Sequence, residues 1–271
     1  MNTQMDSEFY VGYNDRAPAG IAQFLRRRVP IVVALVLISG GVIAFTQNRF
    51  APAVFEFGEP REFEGVLVEK PYPQLKVRRP GNTGDLAYLS SFYLVDPLKF
   101  GAAQYVRGMD GKRVRLRGEL LYRDNQTMLV LDPNSIEVIS ESAVVVARDS
   151  NGSSESPAND ETFAAVIPTG RRTLTGEIMD SKCYLGAMNP GERKVHRACA
   201  IRCISGGIPP LFVVRDAAGG RHHLLLVSST GQAINAAVLE YVALPLKITG
   251  DVRLEGGVYM LYADPANFER L

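Results

Sequence analysis

Apolar residues follow three patterns along this chain. From Val29 to Thr46 they form one run without a charged residue, which directly follows Arg26-Arg27-Arg28. Beyond residue 60, apolar stretches of strand length alternate with clusters of Gly, Pro, Asn and Asp, which are typical of turns. Between 149 and 162 the sequence DSNGSSESPANDET contains no large apolar residue. The patterns predict a membrane-spanning helix, two β-rich regions, and a flexible linker at 149–162 that joins them.

The apolar run predicts a transmembrane helix over residues 29–46. It has about the minimum length that crosses the hydrocarbon core, and it is longer than the apolar part of a usual signal peptide. The arginine cluster places the N-terminus in the cytoplasm by the positive-inside rule, so residues 1–28 should form a cytosolic tail. The remainder should lie outside the inner membrane, in a bacterial periplasm. Ala51-Pro52-Ala53 would permit cleavage, but we predict an uncleaved single-pass anchor.

Each β-rich region is predicted to contain five strands. The predicted strands are 62–69, 74–78, 86–95, 111–122 and 127–131 in the first region, and 172–180, 211–215, 222–228, 244–253 and 258–262 in the second. A helix is expected between the third and fourth strands of each region, at 96–107 and at 232–242. Both regions therefore have the same order of elements.

The two regions also align without a gap over their last two strands. Setting Gly118 against Gly250 places Asp132-Pro133 on Asp264-Pro265, which indicates an internal duplication. The order of elements resembles the OB-fold, a partly open five-stranded barrel, and a glycine inside a strand suits the bend that closes such a barrel. The predicted fold class is therefore mainly β: two small OB-like five-stranded barrels in tandem, at 60–140 and 170–271, after one N-terminal transmembrane helix.

Composition and charge narrow the possible partners. The 271 residues are 46% hydrophobic, carry a formal net charge of +1 and include no Trp, so the nucleic-acid binding that many OB-folds perform is disfavoured. Arg113, Arg115 and Arg117 alternate with apolar residues and should form a basic stripe on one strand face. This stripe is either a solvated surface or a contact for anionic lipid or an acidic partner. The sequence contains no phosphate-binding loop, serine-hydrolase elbow or CxxCH haem motif.

The candidate chemistry is concentrated in one segment. All three cysteines, Cys183, Cys199 and Cys203, occur with His196 in the pattern C-x12-H-x2-C-x3-C. A helix is predicted over 192–204, ended by Gly206-Gly207. On that helix His196, Cys199 and Cys203 lie along one face, and Cys183 comes from the end of the preceding strand. The spacing predicts a site formed by these four residues.

Several interpretations of this site remain open. In the first, the four residues bind a metal, and three thiolates with one imidazole suit Zn, Cu or an iron–sulfur cluster. In the second, Cys183 forms a disulfide with Cys199 or Cys203, as an oxidising compartment favours. Cys199 and Cys203 are one helical turn apart, which is too far for a bridge between them. In the third, the cysteines are small core residues. Nucleophilic thiol chemistry, with Lys182 and His196 lowering a thiol pKa, is the least favoured.

The segment 176–210, GEIMDSKCYLGAMNPGERKVHRACAIRCISGGIPP, resembles a motif of uncharacterised bacterial membrane-anchored proteins, DSKCYLG…HRACAxRCISGGIPP. The resemblance implies a shared local structure and no particular reaction. We therefore expect an extracytoplasmic accessory protein with a Cys3His metal or redox site, as a subunit or assembly factor of an envelope electron-transfer complex. The alternatives are a structural interaction module held by a disulfide and, third, a thiol–disulfide exchange enzyme. The expected partners are the lipid bilayer and an envelope protein, without nucleic acid.

Overall fold

The computed structural model describes residues 19–47, 53–78, 89–123, 126–140, 167–215, 220–255 and 257–271. The chain divides into two units, Met1–Pro52 and Ala53–Leu271. The predicted linker at 149–162 lies outside the described residues.

The first unit contains one long helix, α1, which spans Ala19–Gln47. It is long and apolar enough to cross a membrane, and its apolar side chains are exposed, as at Leu37 with 71% exposure. A continuous apolar surface of this kind is stable in lipid rather than in water. The helix begins before the apolar run, so residues 19–28 of the segment predicted as a tail are helical. Residues 1–18 of that segment lie outside the described residues.

The second unit begins with a closed five-stranded barrel. Its strands are β2 (Arg61–Val68), β3 (Gln74–Arg78), β4 (Leu89–Val95), β5 (Arg113–Arg123) and β6 (Gln126–Leu131). The order around the barrel is β5-β2-β3-β4-β6, and β6 pairs with β5 to close it. The β4–β6 pair is parallel and the other pairs of this ring are antiparallel. Short strands β1 (Ala53–Phe55) and β7 (Glu137–Ser140) also pair with β5, and helix α2 (Ala103–Val106) follows β4.

A second closed barrel repeats this arrangement. Its strands are β8 (Gly170–Asp180), β9 (Pro210–Arg215), β10 (Arg221–Ser228), β11 (Leu246–Glu255) and β12 (Val258–Ala263). They run in the order β12-β10-β9-β8-β11, and β12 closes on β11. The β10–β12 pair is parallel, as in the first barrel. Helix α4 (Asn235–Val238) follows β10, and β13 (Phe268–Arg270) pairs with β11. The predicted fold class is therefore confirmed.

The residues whose alignment indicated a duplication have matching structural roles. A Cβ at Gly118 would lie 2.6 Å from the carbonyl oxygen of Val130, and a Cβ at Gly250 would overlap a carbonyl oxygen of the facing strand. Glycine therefore allows the closing strands to approach in both barrels. Asp132 and Asp264 each cap a short 3₁₀ helix with their carboxylates, at 3.1 and 3.0 Å from the amide nitrogen two residues on.

The helix predicted at 96–107 is shorter in the structure because tertiary contacts occupy its backbone groups. Only Ala103–Val106 is helical. The carbonyl oxygens of residues 96–98 accept hydrogen bonds from Lys182 of the second barrel, and the amide of Gly101 donates to Gly206. These carbonyls and this amide are consequently not used in a helical ladder.

The first barrel has a hydrophobic core of its own, and a second buried cluster fills the other barrel and extends to residues of the first. Tyr72, Tyr93, Leu121 and Met128 of the first barrel belong to the same buried cluster as the interior of the second. The hydroxyl of Tyr72 donates to the carbonyl oxygen of Leu226 at 3.0 Å. The Ala53–Leu271 unit is therefore held together by buried contacts between its barrels as well as by the chain.

Candidate metal site

The cysteine-bearing segment is an insertion between β8 and β9, the first two strands of the second barrel. Strand β8 ends at Asp180, and a π-helical turn, Cys183–Ala187, follows. A 3₁₀ turn, Lys194–His196, then leads into helix α3, which spans Arg197–Ser205. Gly207 ends the helix with a φ of 97°, a left-handed conformation that glycine adopts readily. The predicted helix is present, although it begins later than residue 192.

The insertion brings the predicted ligands together around Cys183. The ligand atoms of Cys183, His196 and Cys199 lie within 4.8 Å of one another, and those of Asp180, Cys183 and Cys203 do the same. Two ligands bound to a tetrahedral ion at about 2.3 Å are about 3.8 Å apart, so contraction by about 1 Å at most would bring either set into coordination. Cys183, His196 and Cys203 are buried, whereas Cys199 is half-buried.

Asp180 orients both the imidazole and the turn that carries Cys183. Its side chain is fully buried, with Oδ2 3.1 Å from Nε2 of His196. Its Oδ1 accepts the backbone N–H of Cys183 at 2.8 Å. Donation from Nε2 to this carboxylate would place the imidazole proton on Nε2 and make Nδ1 the ring nitrogen available to a metal. Sequence reasoning gave Asp180 no role, although its position three residues before Cys183 is typical of a carboxylate that binds a nearby backbone amide.

The three thiols differ in their electrostatic environment. Cys183 hydrogen-bonds to Cys203, and this contact, together with burial, raises the pKa of the Cys183 thiol. The same hydrogen bond lowers the pKa of Cys203, so Cys203 is the better thiolate of the pair. Cys199 accepts a hydrogen bond from Nζ of Lys99 at 3.0 Å, which raises the pKa of Lys99. Cys183 and Cys203 are therefore joined by a hydrogen bond, and binding of a metal to both would release their protons.

The first barrel supplies one wall of the site through its 97–101 loop. Lys182, expected from sequence to activate a thiol, donates instead to the carbonyl oxygens of Asp96, Pro97 and Leu98 at 2.7, 2.8 and 2.7 Å. Burial lowers the pKa of Lys182. The lysine that contacts a thiol is Lys99, which lies on this same loop. No sequence pattern indicates the contact between Lys99 and Cys199, because the two residues come from different barrels.

A second contact from the first barrel lies on the turn after Cys183. Arg123 donates to the carbonyl oxygen of Tyr184 at 2.8 Å, and its guanidinium carbon lies 4.3 Å from the centre of the Tyr184 ring. His223 of β10 packs on the same ring, at 5.6 Å between ring centres. The turn is thus held from both barrels.

All three cysteines are described and all are free thiols. The alternative in which Cys183 bridges to Cys199 or Cys203 is therefore not formed in this structure, although the sulfurs of Cys199 and Cys203 each lie within 4.8 Å of the Cys183 sulfur. In this structure the hydrogen bonds of Asp180 and Lys182 position the turn.

The basic stripe lies on β5 of the first barrel, and carboxylates form ion pairs with two of its arginines. The ion pairs are Arg113 with Glu64, and Arg115 with Glu62, Glu64 and Glu137 at 3.3, 3.4 and 3.5 Å. Arg117 lies on the same strand. A contact of this stripe with lipid or with an acidic partner stays a prediction.

Comparison of the chain with protein-family models, curated proteins and solved structures finds no match. The chemistry of the site is therefore argued from its own residues. Thiols and an imidazole are ligands for soft or borderline metals and not for Mg²⁺ or Ca²⁺. The insertion contains a Cys/His cluster that can bind a metal ion, and the buried carboxylate of Asp180, at the end of β8, contacts its histidine.

Proposed function

We propose that this protein is a membrane-anchored, extracytoplasmic accessory protein that binds a metal through Cys183, His196, Cys199 and Cys203. The proximity of thiol and imidazole atoms, within 4.8 Å for Cys183, His196 and Cys199, is the observation that carries the proposal. The hydrogen bond from His196 to Asp180 supports it, because metal-binding histidines commonly donate their other ring nitrogen to a carboxylate. The donor set suits Zn²⁺, Cu(I) or an iron–sulfur cluster.

The location of the site is part of the proposal. Helix α1 supports a single-pass anchor, and the arginines at 26–28 favour a cytoplasmic N-terminus. The barrels would then lie in the periplasm, where unprotected neighbouring thiols oxidise. A bound metal would keep them reduced. In this setting the protein acts as a subunit or an assembly factor of an envelope electron-transfer complex, with a protein of that complex as its partner.

Metal analysis of the full-length protein, purified in detergent with and without reductant, tests the metal site. We expect about one equivalent of metal in the reduced protein, lost in Cys183→Ser and in His196→Ala. His222→Ala, a half-buried histidine on β10, is the matched control and should keep its metal. If two cysteines are bridged and no metal is bound, the metal site is contradicted, and the alternative of an interaction module held by a disulfide is supported.

A second candidate function is supported by the same Asp180–His196 contact. Asp180, His196 and Cys199 lie in the order carboxylate, imidazole and thiol, and the His196 and Cys199 ligand atoms are within 4.8 Å. This order is typical of thiol nucleophiles that an imidazole activates and a third group orients. Alkylation with iodoacetamide distinguishes the two functions. A thiol enzyme predicts fast labelling of Cys199 that His196→Ala slows, whereas a metal site predicts protection of Cys199 when metal is added.

A further inference from the structure

Met188 contributes a fourth kind of ligand atom at the outer edge of the site. It follows the turn that begins at Cys183, and its Sδ lies 3.9 Å from Sγ of Cys199. This distance is close to the ~3.8 Å expected for two sulfurs that share one tetrahedral ion at bonds of about 2.3 Å. The side chain is 48% exposed, and its sulfur accepts a hydrogen bond from the Cys199 thiol. A thioether next to a half-buried thiol is thus available to a metal from solvent.

The ligand atoms are graded from the surface inward. Met188 is exposed, Cys199 is half-buried, and Cys183, His196 and Cys203 are buried. An ion that first contacts Met188 and Cys199 therefore meets the deeper ligands next. Because Cys183 and His196 lie within 4.8 Å of Cys199, the ion can exchange one ligand at a time without returning to water.

The added thioether discriminates between the metals that the thiols alone allow. Zinc in proteins takes Cys, His, Asp and Glu ligands, whereas thioethers are ligands of the softer copper ions. The ammonium of Lys99 donates to Cys199 at 3.0 Å and offsets the negative charge of the thiolates with either ion, so the thioether is the group that discriminates.

We infer that Met188 and Cys199 form the entry of the site and that the metal it takes is Cu(I). This inference rests on the proposed metal-binding function and specifies its metal. Binding of Cu(I) between the two side chains forms a bond to each sulfur and releases the thiol proton of Cys199 to solvent, with no change in oxidation state.

Competition titrations on the full-length, reduced protein in detergent test the inference. Cu(I) is titrated without oxygen against the chromogenic chelator bicinchoninate, and Zn²⁺ is titrated against a zinc-binding dye. We expect Met188→Leu, which keeps the volume of an exposed side chain, to weaken Cu(I) binding about tenfold or more, as loss of a supporting group at a metal site does. Zinc affinity should not change. Met109→Leu, at a partly buried methionine of the first barrel, is the control and should bind Cu(I) like the wild type.

The outcomes separate the inference from the function on which it rests. Unchanged Cu(I) affinity in Met188→Leu, with metal still bound, overturns the role of Met188 and leaves the metal site. An equal loss of Cu(I) and Zn²⁺ affinity overturns the choice of Cu(I), because the thioether would then not discriminate. Failure of the wild-type protein to bind either ion, with no iron in the purified protein, removes the proposed function itself. X-ray absorption of the copper-loaded protein adds a direct readout, since Met188→Leu should lower the number of sulfur neighbours by one.

Discussion

Replacing Asp180 by asparagine keeps the shape of a buried side chain and removes its charge. The asparagine carbonyl oxygen can still accept the Cys183 amide, which now donates to Asp180 Oδ1 at 2.8 Å, so the turn should keep its conformation. The other half of the side chain becomes an N–H₂ group facing Nε2 of His196, where Oδ2 now lies at 3.1 Å. A donor at that place favours the imidazole tautomer that carries its proton on Nδ1. That tautomer cannot bind a metal through Nδ1.

The expected cost therefore falls on metal affinity and not on folding. Losing the carboxylate partner of a metal-binding histidine typically weakens binding 10–100-fold, which corresponds to about 1.4–2.7 kcal/mol. Metal affinity is measured by chelator competition, and the tautomer by nitrogen chemical shifts of ¹⁵N-labelled histidine. Urea unfolding reports on the fold. Asp264→Asn, which removes an exposed capping carboxylate in the same barrel, is the matched control and should leave affinity unchanged.

A metal affinity within twofold of the wild type in Asp180→Asn would refute this reasoning. It would mean that His196 either does not bind the metal or binds it through Nε2 after breaking its contact with Asp180. A large loss of folding stability would point instead to a mainly structural carboxylate.

Further predictions concern stability. Lys182→Met leaves three carbonyl oxygens without their ammonium donor and should destabilise the fold by about 2–4 kcal/mol, measured by urea unfolding. Burial raises the pKa of Glu177 despite Arg215 at 3.6 Å. The stability that Glu177 contributes is therefore fully present below its pKa in the unfolded chain, and it is lost as the pH rises through its pKa in the folded protein. Glu177→Gln should therefore become more stable relative to wild type as pH rises from about 4 to 7. Gly250→Ala should cost about 1–3 kcal/mol, because its Cβ overlaps the facing strand.

Matched variants keep each of these tests specific. Lys247→Met removes an exposed lysine paired with Glu269 and should change stability by about 0.5 kcal/mol or less, so an equal loss in both lysine variants would contradict the role given to Lys182. A stability difference for Glu177→Gln that shrinks with rising pH would show that Arg215 dominates over burial. Gly118→Ala should repeat the effect of Gly250→Ala, and a neutral result in both would mean that the strands need no glycine to close.

The fold was predictable because its signals are local and occur twice. Alternating apolar residues define each strand, and turn residues separate the strands. The alignment of Asp132-Pro133 with Asp264-Pro265 indicates that the two halves have the same order of elements. The ligand residues could be grouped for a similar reason, because His196, Cys199 and Cys203 occupy one short helical stretch.

The surroundings of the ligands could not be predicted because long-range contacts determine them. Lys99 reaches Cys199 across a separation of 100 residues, and no local pattern records that approach. The helix expected at 96–107 is shortened for the same reason, since Lys182 takes its first carbonyl groups. The position of Asp180, three residues before Cys183, is evident from the sequence. Its role depends on the directions of its two carboxylate oxygens, which only the structure shows.

The hydrogen bonds from Lys182 to the carbonyl oxygens of residues 96–98 have a practical consequence for the design of fragments of this protein. A fragment that starts at the second barrel would retain every sulfur and the imidazole, yet its ammonium at position 182 would have lost all three oxygen acceptors, and Cys199 would have lost Lys99. Metal affinities measured on such a fragment would therefore describe a site with different surroundings from that of the whole protein. The Ala53–Leu271 unit contains both barrels and preserves these contacts.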